Sequence, residues 1–566
     1  MSRLSLLRLV FSAWFLIVLG RLYYWQGIKA YDLRDVARRQ YERQTTSSSE
    51  RGIVYSADGY PLVLNTKVFT LVGKPNLLKT APTFIASSIA SKLPSVNSSA
   101  SAILNLAQKL SDPSKKWVPL LTGLSEKEKD TLATINDPAL TFEENTQRYY
   151  PEGSMSAHLL GFVGKDNDGN PQGYFGIEGK YDLELKGRPI KSVQETDAVG
   201  HPIGWSGTVD QENGDGRDVT LTLRRDIQFL AQEWLKEGVE KYGAKSGDVL
   251  IMDPMTGKIL AMASYPGYDP SQYSKVDQAL LKNPSVADGY EPGSTFKVLT
   301  VASGIDAGVI TPDTQCDKCN GPVTIGKYTI KTWNNEYHAS TTIQEGLTHS
   351  DNTAMVFVGR KLGQDKFLEY IEKFGIGTKT GIDLQDESTP KLRPKKEWGE
   401  IDTATATFGQ GIALTPIQML NSVNVIANGG TLYKPYVVEK VASDDEEFLT
   451  KPQEIRRVIS EQTAKTVAQM MQTAASQGDA HWTLPKEYPI AGKTGTAQIP
   501  VAGHYDSART IASFVGFAPM ENPKFSMLVR LVEPSTSQWG SETAAPLWFS
   551  IAKDLFVKYG ISPTKK

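Results

Sequence analysis

Residues 291–297 read EPGSTFK, which sets Ser294 and Lys297 three apart directly behind a Pro-Gly break. The run that follows, STFKVLTVASGIDAG, is apolar enough to read as a buried helix starting at Ser294. On a helix, positions i and i+3 share a face, so the hydroxyl and the amine meet within the first turn. The positive potential of a helix N-terminus favours a serine alkoxide and disfavours a protonated lysine. A desolvated, neutral lysine can then serve as the base that the alkoxide needs. The pair therefore reads as a nucleophile and its base.

The S-x-x-K pattern alone is weak, because it recurs at Ser388–Lys391, Ser550–Lys553 and Ser562–Lys565. Two of those copies contain proline, and the third lies in LWFSIAKDLF with no glycine turn before it. Two further motifs strengthen the first copy. HSDNTA supplies Ser350, Asp351 and Asn352, with hydrogen-bonding side chains at i and i+2, and AGKTGTAQ supplies Lys493, Thr494, Gly495 and Thr496. These have decoys at Ser95/Asn97, Ser422/Asn424 and Lys379-Thr380-Gly381. Only one ordered set joins a glycine-introduced helix, a polar loop and a Lys-Thr-Gly strand. His349 reads as a packing or capping residue rather than a catalyst.

The elements that must position these groups begin near residue 218. VTLTL reads as a strand, and Ile227, Leu230, Trp234 and Val239 mark a helix after it. DVLIMDPMTGKILAMAS is a hairpin, and TIASFVGFAP and KFSMLVRLVEP are a strand pair. Residues 51–217 read as an elongated, mixed module with short β-rich pieces and a Ser-rich patch at 94–101, without a catalytic constellation. A chain of 566 residues exceeds the roughly 250–300 at which single cores stop growing. The expected division is 1–27, 28–217 and 218–566.

Composition narrows the partners. The chain is 40 % apolar and 22 % charged with a net charge of -2, so no basic field invites nucleic acid. An uncharged run from Leu9 to Gly20 lies between Arg8 and Arg21, and Leu22, Tyr23, Tyr24 and Trp25 extend it with an aromatic belt. No small-residue cleavage site follows, which favours an uncleaved anchor over a removed signal. Residues 28–43 read as a charged helix that the Ser/Thr run at 45–49 ends. Cys316 and Cys319 in TQCDKCNG are too few for structural zinc and lack a thioredoxin-like context; a local disulfide suits an extracytoplasmic chain.

EPGSTFK, SDN and KTGT together resemble the three active-site motifs of the penicillin-recognising serine transferases. Over nearly its whole length the chain resembles a class B penicillin-binding protein, a monofunctional D,D-transpeptidase of peptidoglycan synthesis. RGIVYSADGYPL (51–62) is similar to the first pedestal motif of that family, with Tyr55 where an acidic residue is usual. RYYPEGSMSAHLLGFVG (148–164), GYFGIEGKYDLELKG (173–187) and GQGIALTPIQML (409–420) are similar to later signatures. The fold implied is an α/β (α+β) serine transpeptidase domain of the penicillin-binding/β-lactamase type. A single transmembrane helix and an elongated mixed α/β pedestal would precede it. Arg148 and Glu178 would be an internal polar scaffold of that pedestal.

The resemblance also implies a mechanism. Ser294 would attack the carbonyl of the penultimate D-alanine of a stem peptide while Lys297 takes its proton. Ser350 and Asn352 would relay the proton and orient the peptide. Lys493 would keep Lys297 neutral by like-charge repulsion. Thr494, Gly495 and Thr496 would form the substrate-binding strand, its threonines holding the terminal carboxylate. Backbone N–H groups of Ser294 and Thr496 would make the oxyanion hole. No cofactor or metal is implied. The partners would be stem peptides on lipid-linked or nascent strands, β-lactam antibiotics and a membrane glycosyltransferase of the wall-synthesis or division machinery. The bulk of the chain would lie outside the cytoplasmic membrane. GIEGKYD and WNNEYH lean toward the division type. The rival readings are a non-catalytic division scaffold, or a β-lactam-hydrolysing or sensing relative. An anchored pedestal argues against a secreted hydrolase, the short stretch before Leu9 against a sensor, and the intact residue set against a scaffold.

Overall fold

The computed structural model describes residues 2–47, 49–93, 99–188, 190–195, 208–209, 214–485, 487–501 and 504–563. Ser95 and Asn97, most of the Ser-rich patch and Lys565 of the last S-x-x-K lie outside them. The chain divides into two units, residues 1–52 with 186–216, and residues 53–185 with 217–566.

The first unit opens with the helix Arg3–Tyr23, continued by a π-helical turn at Tyr24–Ile28. Within this 26-residue stretch an 18-residue window has a mean hydropathy of 1.7, and none of that window is buried within the protein. At about 1.5 Å rise per residue it exceeds the ~30 Å of a bilayer core, so it is long and apolar enough to cross a membrane. Arg21 lies over the Trp25 ring, 5.6 Å from its centroid, which draws the charge toward the aromatic end. The helix Ala30–Tyr41 follows, and the chain then enters a three-stranded antiparallel sheet, Glu42–Ser47 with Ile190–Glu195 and Thr208–Val209. The Ser/Thr run thus begins inside a strand.

In the second unit, five antiparallel strands run in the order Ile259–Tyr265, Ser246–Met252, Phe525–Val532, His504–Ala518 and Ala491–Val501. Val249 to Met252 are all buried, as a strand covered on both faces requires. One face carries the helices Arg225–Tyr242 and Ala544–Lys558, whose Ile227, Leu235, Trp548 and Phe556 share a core with the sheet. A second core gathers the helices Lys297–Asp306, Asn352–Leu362, Pro416–Ala427 and Glu461–Gln477. The strand Ala491–Val501 is left at the sheet edge, and its Lys493 to Thr496 pair with Val515 to Ala512 of the neighbouring strand.

A seven-stranded sheet ties residues 53–185 into the same unit. Val54–Tyr55 pairs antiparallel with Pro61–Gly73 and parallel with Asp218–Leu221, which in turn pairs with Val438–Ala442. Arg148 donates to Glu178 and to Asn65 at 2.8 Å each, and both members of the ion pair are buried. Breaking such a pair strands a charge in the core, so it is the internal scaffold expected of it. Asp383 accepts from the backbone N–H groups of Val437 and Val438 and from the Tyr181 hydroxyl, joining the two parts again. Cys316 and Cys319 form the local disulfide, with Cα atoms 5.5 Å apart.

Candidate active site

Ser294 sits in a 3-10 turn, Gly293–Phe296, and the α-helix starts only at Lys297. The α-helix therefore starts three residues later than expected, although side chains at i and i+3 still align in a 3-10 turn. Glycine is required at 293: its φ is +56°, and a Cβ there would press on the Thr496 carbonyl at 3.1 Å. Its N–H donates to the Gly409 carbonyl, and a Cβ on Gly409 would meet the Gly293 oxygen at 2.2 Å. The GQGIALTP stretch thus braces the turn from behind, and Leu414 and Tyr290 exchange two further backbone bonds beside it. Ser294 is half-buried at the floor of a cleft of about 870 Å³.

Ser350 enters the same cleft from a loop between two helices. The helix Ile343–Thr348 begins in a Thr342/Glu345 capping box and is C-capped by His349. Ser350 then adopts a left-handed backbone with φ +58°, a conformation that is costly for a side-chain-bearing residue. Asp351 turns inward as the N-cap of Asn352–Leu362, accepting from Thr353 and Ala354 N–H groups. Capping fixes the alternation that leaves Ser350 and Asn352 lining the cleft. Lys297 Nζ donates to the Ser350 carbonyl at 2.5 Å and to Ser350 Oγ at 3.1 Å. Among the described residues no hydrogen bond joins Ser294 to Lys297, so Ser350 is the group in hand contact with the amine.

The edge strand supplies the opposite wall. Thr494 and Thr496 line the cleft, and Thr496 Oγ1 accepts from the Gly540 N–H at 3.0 Å. Lys493 is buried, with Nζ 3.2 Å from Thr494 Oγ1. Gly495 does not line the cleft. A Cβ there would meet Ser513 Oγ at 2.6 Å, Thr295 at 2.9 Å and the Pro292 carbonyl at 3.0 Å. Its place in the motif is to let the strand press against the turn that carries Ser294.

Charge in this site is set by burial. Lys297 is fully buried, and its amine is held well below the usual lysine range, first by desolvation and then by the Lys493 charge, against Asp351 and Asp479. Lys493 is pushed down to about 8 by desolvation, with Asp479 opposing. The arrangement favours a neutral Lys297 beside a Lys493 that keeps its proton at neutral pH. A neutral amine, two hydroxyls and an ammonium along one cleft can activate a hydroxyl and hold an anionic substrate end.

The cleft also contains residues that no motif announced. Trp333 and Trp539 come from loops on opposite walls and meet with ring centroids 5.4 Å apart. Trp333 donates to the His349 carbonyl at 3.3 Å, and Asn352 Nδ2 to the Lys331 carbonyl at 2.8 Å. Asp479, Trp482 and Glu542 complete the rim. The loops that carry them have no periodicity from which their direction could be read.

Known proteins resemble this chain along its length. The profile of the penicillin binding protein transpeptidase domain matches residues 247–556, and that of the penicillin-binding protein dimerisation domain matches residues 46–221. Stage V sporulation protein D of Bacillus subtilis is 32 % identical over 556 residues, spanning 97 % of this chain and 85 % of the relative. Peptidoglycan D,D-transpeptidase FtsI of Escherichia coli is 26 % identical over 543 residues, spanning 95 % and 87 %. Among solved structures, a peptidoglycan synthetase from Bifidobacterium adolescentis superposes with a TM-score of 0.72 at 26 % identity, over 93 % of this chain and 98 % of that one. Penicillin binding protein 3 from Mycobacterium tuberculosis, solved with aztreonam, superposes with a TM-score of 0.70 at 24 % identity, over 92 % and 98 %.

Proposed function

The chain belongs to the penicillin-binding-protein transpeptidase family, and from that premise we propose how its own residues cross-link peptidoglycan stem peptides. It is a peptidoglycan D,D-transpeptidase. Ser294 Oγ attacks the carbonyl of the penultimate D-alanine, and the C–N bond to the terminal D-alanine breaks. The proton leaves Ser294 for Lys297 and reaches the departing amine through Ser350, whose Oγ lies 3.1 Å from Lys297 Nζ. Asn352 orients the peptide. Lys493, Thr494 and Thr496 hold the terminal carboxylate, a charge-assisted interaction that also limits proton return to Lys297. Backbone N–H groups of Ser294 and Thr496 stabilise the oxyanion, each such donor contributing about 10²–10³ in rate. β-Lactams enter by the same attack and leave Ser294 acylated.

One observation carries this reading: Ser294, Ser350, Asn352, Thr494 and Thr496 line a single cleft, with Lys297 bonded to Ser350 beneath it. The division of labour along the chain is then an anchor at 1–27, a pedestal at 28–217 and the transpeptidase at 218–566. The substrate lies outside the cytoplasmic membrane, so the N-terminus faces the cytoplasm and the remainder the envelope. A membrane glycosyltransferase of the wall-synthesis or division machinery supplies the strands. The test is cross-linking in a reconstituted system. Full-length protein in detergent, supplied with nascent strands, should yield cross-linked muropeptides that penicillin and Ser294→Ala both abolish. Cross-links that persist in the folded Ser294→Ala protein would overturn the assignment.

A further inference from the structure

Acyl transfer needs an amine where the leaving amine has just departed, since attack and departure follow one path through the same tetrahedral geometry. The charged Lys493 offers an incoming ammonium ion only repulsion. Asp479 offers the opposite. It lies just beyond the helix Glu461–Gln477, at a helix C-terminus, where the helix dipole disfavours a carboxylate. It is half-buried in the wall of the cleft that Ser294 and Ser350 line. The turn is seated on the Ser350 loop. A Cβ on Gly478 would meet the Thr348 carbonyl at 2.7 Å, and His481 Nδ1 closes on the Gly478 carbonyl at 2.8 Å.

The other carboxylates nearby are engaged. Asp351 caps its helix through Thr353 and Ala354, and Glu542, exposed at the rim, accepts from Ser537 Oγ at 2.5 Å. Asp479 has no hydrogen bond or ion pair among the described residues, yet its charge raises the proton affinity of both Lys297 and Lys493. It therefore faces the reacting end of the cleft with its acceptor capacity unused. Trp482, three residues on, adds an aromatic face on which a cation is favoured.

We propose that Asp479 receives the acceptor amine, as an ammonium ion, at the acyl-enzyme stage; the inference rests on the transpeptidase reading above. The bound ammonium gives one proton to neutral Lys297, which passes it to solvent. The free amine then attacks the Ser294 ester carbonyl, a C–N bond forms as the C–Oγ bond breaks, and the second N–H proton returns to Ser294 Oγ. Asp479 makes no covalent bond. It determines that an amine is delivered rather than water.

The experiment uses the full-length protein, a thioester analogue of an acyl-D-alanyl-D-alanine donor, and either D-alanine or its hydroxyl counterpart D-lactate as acceptor. In Asp479→Asn the ratio of aminolysis to hydrolysis with D-alanine should fall about tenfold more than the rate of penicillin acylation, the scale of one lost charge pair. The ratio with D-lactate should stay put, and Asp479→Glu should recover part of the aminolysis. Equal falls in aminolysis and penicillin acylation would instead give Asp479 a role through Lys493, and an unchanged ratio would give it none. Either result overturns the inference. Wild-type protein that penicillin fails to label would sink the transpeptidase reading itself, a separate and recognisable failure.

Discussion

Lys-Thr-Gly occurs twice in this chain, at 493–495 and at 379–381, and the two copies have opposite fates. The first lies on an edge strand with a cleft before it. Thr494 lines that cleft, and Lys493 is buried beneath it. The second wraps around the Glu387 carboxylate, which accepts from the Thr380 N–H at 2.5 Å, the Thr380 hydroxyl at 2.7 Å and the Gly381 N–H at 3.1 Å. The Thr380 and Gly381 donors that could hold a substrate carboxylate are already holding a protein one. The serines divide likewise. Ser294 opens onto the cleft, whereas Ser550 donates to the Pro546 carbonyl inside its helix, and Ser422 to the Gln418 and Phe374 carbonyls. A motif does chemistry where the fold leaves its polar atoms unspent.

The comparison breaks first at the nucleophile. Ser294→Ala should abolish covalent labelling by a fluorescent penicillin, while Ser550→Ala labels at the wild-type rate; gel fluorescence over time reads both. Next comes the base. Lys297→Met, close in volume and uncharged, should slow acylation by roughly 10²–10⁴, the usual reach of a general base. Lys379→Met should leave the rate alone, by stopped-flow acylation. A smaller effect is the pH response of the working copy. Lys493 has its pKa lowered from 10.5 to about 8, so its ammonium form is present below that pH and lost above it. Acylation by a carboxylate-bearing penicillin should therefore decline several-fold as pH rises through about 8, and the decline should vanish in Lys493→Met. Smallest is Thr380→Ala. It should cost about 1 kcal/mol of stability in denaturant unfolding, by removing a hydroxyl bond to Glu387, with acylation unchanged.

Much of this is legible in the sequence alone. The hairpin across DPMTG, the strand pair after residue 509, the helix at Ile227 to Val239 and the three motifs all announce themselves through local period and punctuation. What escaped depends on partners far away in the chain. Nothing in VY predicts that Val54 lies parallel to Val219, joining the pedestal to the C-terminal part in one sheet. Gly495 reads only as part of the substrate-binding strand, and nothing near it in sequence shows that Thr295 and Pro292, two hundred residues earlier, leave no room there for a Cβ. Ser294 precedes its helix instead of opening it, since Gly293 needs a positive φ to pass Gly409. Trp333, Trp539 and Asp479 are placed by irregular loops whose direction only packing decides.

The central claim is that Ser294 alone, among the serines of its cleft and of its motif, is the acylated residue. The most direct measurement is a peptide map, by mass spectrometry, of the full-length protein after reaction with a penicillin. The account predicts a single adduct of intact penicillin mass, stable over hours, on the peptide containing Ser294. An adduct on Ser350, Ser388 or Ser550, or an unmodified Ser294 in folded protein after the same exposure, would contradict it.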